Sequence, residues 1–176
     1  EQIGLADKLI ALGKPAEKVR MVAGGEVRGE AVLANIGAGM SKYPFMLVVE
    51  QGKHEALLYE HICQNGRDVR WQTEMSTLTP DDEGVIVELN NGETIRGKYL
   101  VGCDGSKSPV RHALGLTFEG DTVERLFYVA DVEIDWEYGH DALVVCLAEH
   151  TLTAFFPMVG DNRFRIVGTF PEGHTA

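Results

Sequence analysis

The sequence predicts an α+β chain dominated by antiparallel sheet. Three observations carry that prediction. Apolar residues recur at helical spacing over only two sizeable segments, near 3–12 and 52–64. Short alternating or wholly apolar runs, punctuated by Gly, Pro, Asn and Asp, fill most of the remainder. After Gly120 the composition shifts from mixed α/β to nearly pure β.

Taken in order, Ile3, Ala6, Leu9 and Ile10 share one face of a first helix, which Gly13 and Pro15 close. Strand-like runs follow at Val19–Val22, Val27–Ile36 and Phe45–Val49, broken by Gly24-Gly25 and Tyr43-Pro44. Gly52–Gln64 fits a second helix, stopped by Asn65-Gly66. Val69–Trp71 reads as a strand and Asp81–Gly84 as a solvated turn. Val85–Leu89 then meets Thr94-Ile95 across Asn90-Asn91-Gly92, a strong hairpin signal. Tyr99–Cys103 is apolar throughout, as expected of a strand buried on both faces. Ser108-Pro109 opens a short helix that Gly115 closes, with Ser as cap, Pro at the first helical position and Gly past the end. Finally, Arg125–Ile134, Ala142–Ala148, Thr151–Met158 and Arg163–Thr169 read as consecutive strands of a β-meander.

Composition narrows the function. The 176 residues carry 16 Lys+Arg against 27 Asp+Glu, a net charge of −11. That balance repels phosphate backbones and argues against nucleic-acid binding. No apolar run approaches the ~20 residues that cross a bilayer, so no membrane span is expected. The first residues lack the basic flank and apolar run of a signal peptide. They have no initiator Met and read as the middle of a helix, so the chain is expected to be a piece of a longer protein. Cys63, Cys103 and Cys146 form no CxxC pair, which indicates neither a zinc ribbon nor a disulfide framework. Cys103 and Cys146 lie in apolar runs and read as buried core thiols. A reducing, cytoplasmic setting is the expectation.

Most candidate motifs dissolve on inspection. Gly37-Ala38-Gly39 has Lys42 where a dinucleotide fingerprint needs its third glycine, and Tyr43-Pro44 prevents the helix. His54 and His61 stand seven apart on a helix, the wrong register for a metal pair, and no metal site is expected. Ser106 and Ser108 have no GxSxG context, and no catalytic acid, base or nucleophile emerges.

The segment Tyr99–Gly115 differs. It joins an apolar run, an Asp-Gly at its carboxyl end, and a capped helix a few residues later. Ligands of open α/β sheets sit at that end of a strand. Gly105 allows close backbone approach, Asp104 can accept from ribose hydroxyls or backbone N–H groups, and Arg111 suits a neighbouring anion. Spacing alone leaves equal room for a well-made turn with no ligand.

This segment resembles the Asp-Gly motif of the para-hydroxybenzoate hydroxylase-like FAD-dependent aromatic hydroxylases, the class A flavoprotein monooxygenases. The pattern is filled by Asp104, Gly105, Ser108, Val110, Arg111, Leu114 and Gly115. Phe45–Leu58 is similar to the family stretch in which a strand leads to a Gln and then a helix, with Gln51 and Glu55 on the matching positions. Phe155–Met158 through Arg163–Arg165 resembles strands of the family's substrate-domain sheet.

The resemblance implies the antiparallel substrate-domain sheet of the aromatic-hydroxylase fold plus part of the FAD-binding α/β domain. It divides the chain into a helix at 1–15, substrate-domain strands at 16–50, a FAD-domain portion at 51–120 and a substrate-domain meander at 121–176. It implies cofactor contacts from Gln51, Asp104, Gly105, Ser108 and Arg111, and substrate contacts from Phe155 and Met158. It implies FAD and NAD(P)H as cofactors and a small aromatic, phenol-like substrate hydroxylated with O2. A homo-oligomer stays open. The family's GxGxxG unit and later Gly-Asp segment do not occur in these residues, so the chain alone is expected to be inactive. The alternatives are a non-catalytic β-sheet binding module and a flavin reductase or epoxidase of the same superfamily acting on a lipid.

Overall fold

A computed structural model describes residues 2–122, 125–171 and 173. The outermost positions of the predicted 1–15 and 121–176 segments, and Val123 and Glu124, lie outside the described residues. The helical spacing near the start yields α1 (Ala6–Leu12), followed by β1 (Lys14–Ala16), β2 (Lys18–Ala23), β3 (Glu26–Val32) and β4 (Met46–Val48). Then come α2 (Gln51–Gln64), β5 (Met75–Asp81), β6 (Gly84–Leu89), β7 (Thr94–Gly97) and α3 (Pro109–Ala113). The last four strands are β8 (Phe127–Glu133), β9 (Ala142–Leu147), β10 (Leu152–Pro157) and β11 (Arg163–Thr169). The fold is α+β with mostly antiparallel pairing.

The chain divides into two compact units, one of residues 1–67 with 124–176 and one of residues 68–123. Helix α2 groups with the first unit.

The first unit is built on a six-stranded sheet of order β3-β2-β9-β10-β11-β8, beside the two-stranded β1–β4 pair. Its core is set by side-chain parity. Val22, Ala142 and Val144 are buried, and Trp136, Tyr138, Cys146 and Phe155 pack on them. The Trp136 ring lies 4.6 Å from Phe155 and 5.1 Å from Phe164, which is fully buried. The indole N–H donates to the Gly139 carbonyl at 3.0 Å, so the half-buried ring has its one donor paired.

The second unit is the three-stranded β5-β6-β7 sheet followed by α3. Val85, Val87 and Leu89 alternate inward along β6 and pack with Met75 and Leu78. Gly84 allows this sheet to close, because a Cβ there would stand 2.2 Å from the Gly97 carbonyl oxygen.

Four sequence expectations need correction. The last four strands are not a simple meander, because β8 pairs with β11 and not with β9. Strand β9 has both edges occupied, by β10 and, in parallel, by β2, so β8 takes the free edge of β11. Val69–Trp71 is not a strand, since Gln72 adopts φ +55 immediately after it. The strand lies further on at Met75–Asp81, and its Pro80 is tolerated because β5 is an edge.

Tyr99–Cys103 forms no ladder with any described strand, and Tyr99 and Val101 are 89% and 79% exposed. An apolar run becomes a buried strand only where neighbours pair with its edges and layers cover its faces. Cys103 is accordingly exposed, as is Cys63, while Cys146 is half-buried and its thiol is pushed up by burial.

Two measurements follow from this packing. Phe164→Ala removes a fully buried ring from the Trp136 cluster and should cost about 3–5 kcal/mol of stability, read from urea denaturation. A thiol reagent should label Cys63 and Cys103 quickly in the native protein and Cys146 markedly more slowly, with all three rates converging in denaturant. Slow native labelling of Cys103 would place it in the interior after all.

Candidate cofactor site at the Asp-Gly loop

The loop between Gly102 and α3 is held by its own side chains. A Cβ on Gly102 would come within 3.1 Å of Val110 Cβ and 3.2 Å of Asp104 Oδ1, so glycine lets the chain pass close to the helix without displacing either side chain. The Val110 N–H donates to Asp104 Oδ2 at 3.0 Å, and the Arg111 N–H donates to Ser108 Oγ at 3.0 Å. Two otherwise unpaired amides of the first turn are thereby capped. The Ser108 hydroxyl, the Val110 N–H and the Arg111 charge hold the Asp104 carboxyl below the usual carboxylate range. Ser108 is buried.

Arg111 folds back over the loop. Its Nη1 donates to the Ser106 carbonyl at 2.8 Å, and its guanidinium lies 4.9 Å from the Phe118 ring centroid. Gly105, at φ +73, has no atom within 4 Å of where a Cβ would be, so the backbone is open on that side. The result is an ordered loop with an ionised carboxylate, a positioned guanidinium and an uncovered glycine. Such a donor set and opening fit the ribose and phosphate portion of a nucleotide cofactor.

Beside the loop lies an apolar cavity of about 500 Å3. Met75, Val87, Leu89 and Ile95 of the sheet form one wall, and Leu100–Asp104 with Val110 form the other. Reading Tyr99–Cys103 as a buried strand fills this space, so the cavity has no signal in the sequence.

Gln51 is the first residue of α2, in the other unit. Its Nε2 donates to Glu55 Oε1 at 2.7 Å, joining the two positions singled out on this helix. The preceding Glu50 is clamped by Lys53 and by Arg163, whose Nη2 donates at 3.0 Å. The Lys53 hydrogen bond, aided by Arg163, holds the Glu50 carboxyl below its ordinary range.

Residues Met46–Glu50, with Phe156, Met158, Arg165 and Val167, enclose a second cavity of about 310 Å3. Met158 therefore lines a cavity of the sheet face. Phe155 does not: strand alternation turns its ring to the opposite face, into the Trp136 core. Its neighbour Phe156 lines the cavity.

Comparison with known proteins agrees with the motif. The family model described as FAD binding domain matches residues 1–174. The chain belongs to that family. The 6-methylpretetramide 4-monooxygenase of Streptomyces rimosus is 30% identical over 181 residues, covering 99% of this chain and 32% of that protein. The crystal structure of p-nitrophenol 4-monooxygenase from Pseudomonas putida DLL-E4 superposes with a TM-score of 0.84 at 22% identity, covering 98% of this chain and 45% of the other. The Klebsiella pneumoniae HpxO structure complexed with FAD gives 0.81 at 20% identity, covering 98% and 45%. At such identities the structures show a shared fold. The chain spans about a third of the length of the curated relatives it matches.

The capping by Asp104 has a pH signature. Its folded-state pKa lies below the unfolded value, so its contribution is complete above about pH 4 and is lost as pH falls through the depressed folded pKa. Amide exchange at Val110, corrected for its intrinsic pH dependence, should accelerate over that acid range. Asp104→Ala should produce the same acceleration already at neutral pH.

Proposed function

We propose that this chain contributes to a FAD-dependent monooxygenase that uses NAD(P)H and O2 to hydroxylate an aromatic, phenol-like substrate. The observation that carries the proposal is the Asp104–Arg111 loop, internally capped and open at Gly105, within a chain matched almost end to end by the FAD binding domain family. FAD, when bound, supplies the redox and oxygen chemistry of such an enzyme. The work left to the chain is to bind, orient and exclude water.

Asp104 and Ser108 fix the loop, Gly105 admits the cofactor to the backbone, and Arg111 offers charge to its phosphates or to the approaching pyridine nucleotide. Gln51 contacts the flavin from the start of α2. Met158 and Phe156 lie on the substrate side. No side chain need act as acid, base or nucleophile, consistent with the lack of any such constellation in the sequence. Three free thiols support a cytoplasmic location.

Asp104→Ala and Arg111→Ala in the full-length protein should each weaken FAD retention by about tenfold or slow flavin reduction by NAD(P)H. FAD titration and stopped-flow bleaching read the two effects. Wild-type values for both variants in both assays would remove the assignment.

A further inference from the structure

The cavity between β4 and the β10–β11 face has an apolar interior and a charged rim. Met46, Leu47, Val48, Val49, Phe156, Met158 and Val167 supply its surface, and its volume of about 310 Å3 lies at the small end of the ~300–1,000 Å3 typical of ligand sites. That volume suits a single ring.

Sheet register explains the rim. Phe156 pairs with Arg165, and Arg165 pairs with Asp131, so the three side chains form one row across β10, β11 and β8 on the cavity face. Arg165 holds Asp131 through two hydrogen bonds, Nε to Oδ1 at 2.8 Å and Nη2 to Oδ2 at 3.0 Å. The bidentate geometry pulls the Asp131 carboxyl below its usual range. Arg163 and Lys53 are held by Glu50 in the same way. Glu133 stands opposite Arg163 in the register. Glu50 thus offsets Arg163 and, from α2, Lys53, while Asp131 offsets Arg165.

A ring bearing a carboxylate would enter an apolar space and find the lining guanidinium already neutralised. Desolvation of such an anion is costly without an uncompensated partner. A neutral phenol loses nothing comparable.

We propose that Asp131, by neutralising Arg165, is a specificity determinant that sets this cavity for uncharged aromatic rings and against aromatic carboxylates. The inference rests on the monooxygenase reading for its biological meaning and on the ion-pair row for its physics. Without Asp131, Arg165 would lose its bidentate partner, keep Glu50 only as a more distant carboxylate, and offer the cavity a planar donor fork that favours a carboxylate.

Methyl NMR titration of the chain with 4-ethylphenol and with 4-hydroxybenzoate tests the idea, followed at Met46, Val48, Val49, Met158 and Val167. The wild type should bind 4-ethylphenol at least about tenfold more tightly than 4-hydroxybenzoate. Asp131→Asn should tighten 4-hydroxybenzoate by about tenfold and leave 4-ethylphenol within about twofold. Adding Arg165→Gln to that variant should abolish the gain. Val167→Phe, which fills the cavity, should abolish binding of both rings while the native spectrum persists elsewhere. The proposal fails if the wild type prefers the carboxylate, if Asp131→Asn leaves the ratio unchanged, or if neither ring shifts the cavity methyls. No flavin enters these titrations. Failure here leaves the Asp104 and Arg111 result on FAD standing, and failure there leaves this one standing.

Discussion

The parallel pairing of β2 with β9 is the constraint on which the first unit depends. It sets Lys18 against Ala142 and runs in register to Ala23 against Leu147, joining segments separated by more than half the chain. Closing so long a loop is entropically costly. The compensation lies on the two strands themselves, where Val22, Ala142 and Val144 are buried with Ala142 and Val144 fully so. Along the same face, Lys18 reaches Asp141 at 3.0 Å and Arg20 engages Glu30 and the Tyr138 carbonyl, fixing the same register with polar contacts. With β9 paired on both edges, β8 adds at an outer edge of the sheet, beside β11. That placement brings Asp131 opposite Arg165.

What the sequence made legible is what is decided locally. Helix α2, the β6–β7 hairpin and the Ser108-Pro109 start of α3 each announce themselves through spacing, turn residues or caps, and each formed within a residue or two. The order of strands did not show, because β9 carries no mark of a partner over a hundred residues upstream. Tyr99–Cys103 misled for a related reason: an apolar run records what would suit a buried strand, not whether neighbours pair with it. The candidate site divides along the same line. The turn that joins Asp104, Ser108 and Arg111 is legible locally, because the apolar run, Asp-Gly and cap lie within a dozen residues. Phe156 and Asp131 are not, since the first depends on side-chain parity and the second on cross-strand register. The same one-residue alternation puts Met158 and Phe156 at the cavity and Phe155 against Trp136.

The charge of the chain sharpens what the loop must do. A net charge of −11 makes a poor long-range partner for an anionic dinucleotide, and it slows encounter at low salt. At physiological ionic strength that field is screened beyond ~8 Å, so binding is settled by groups within hydrogen-bond reach. The loop is arranged accordingly. Its carboxylate is tied inward to the Val110 N–H, so its charge is partly offset before any ligand arrives. Its guanidinium is steered by the Ser106 carbonyl and the Phe118 ring rather than left to sample solvent. Gly105 exposes backbone with no side chain in the way. A loop ordered by its own hydrogen bonds has less conformational freedom to lose on binding. On the cofactor reading proposed for this loop, preorganisation, not electrostatic attraction at a distance, is what it offers an anionic ligand in a chain of the wrong overall sign.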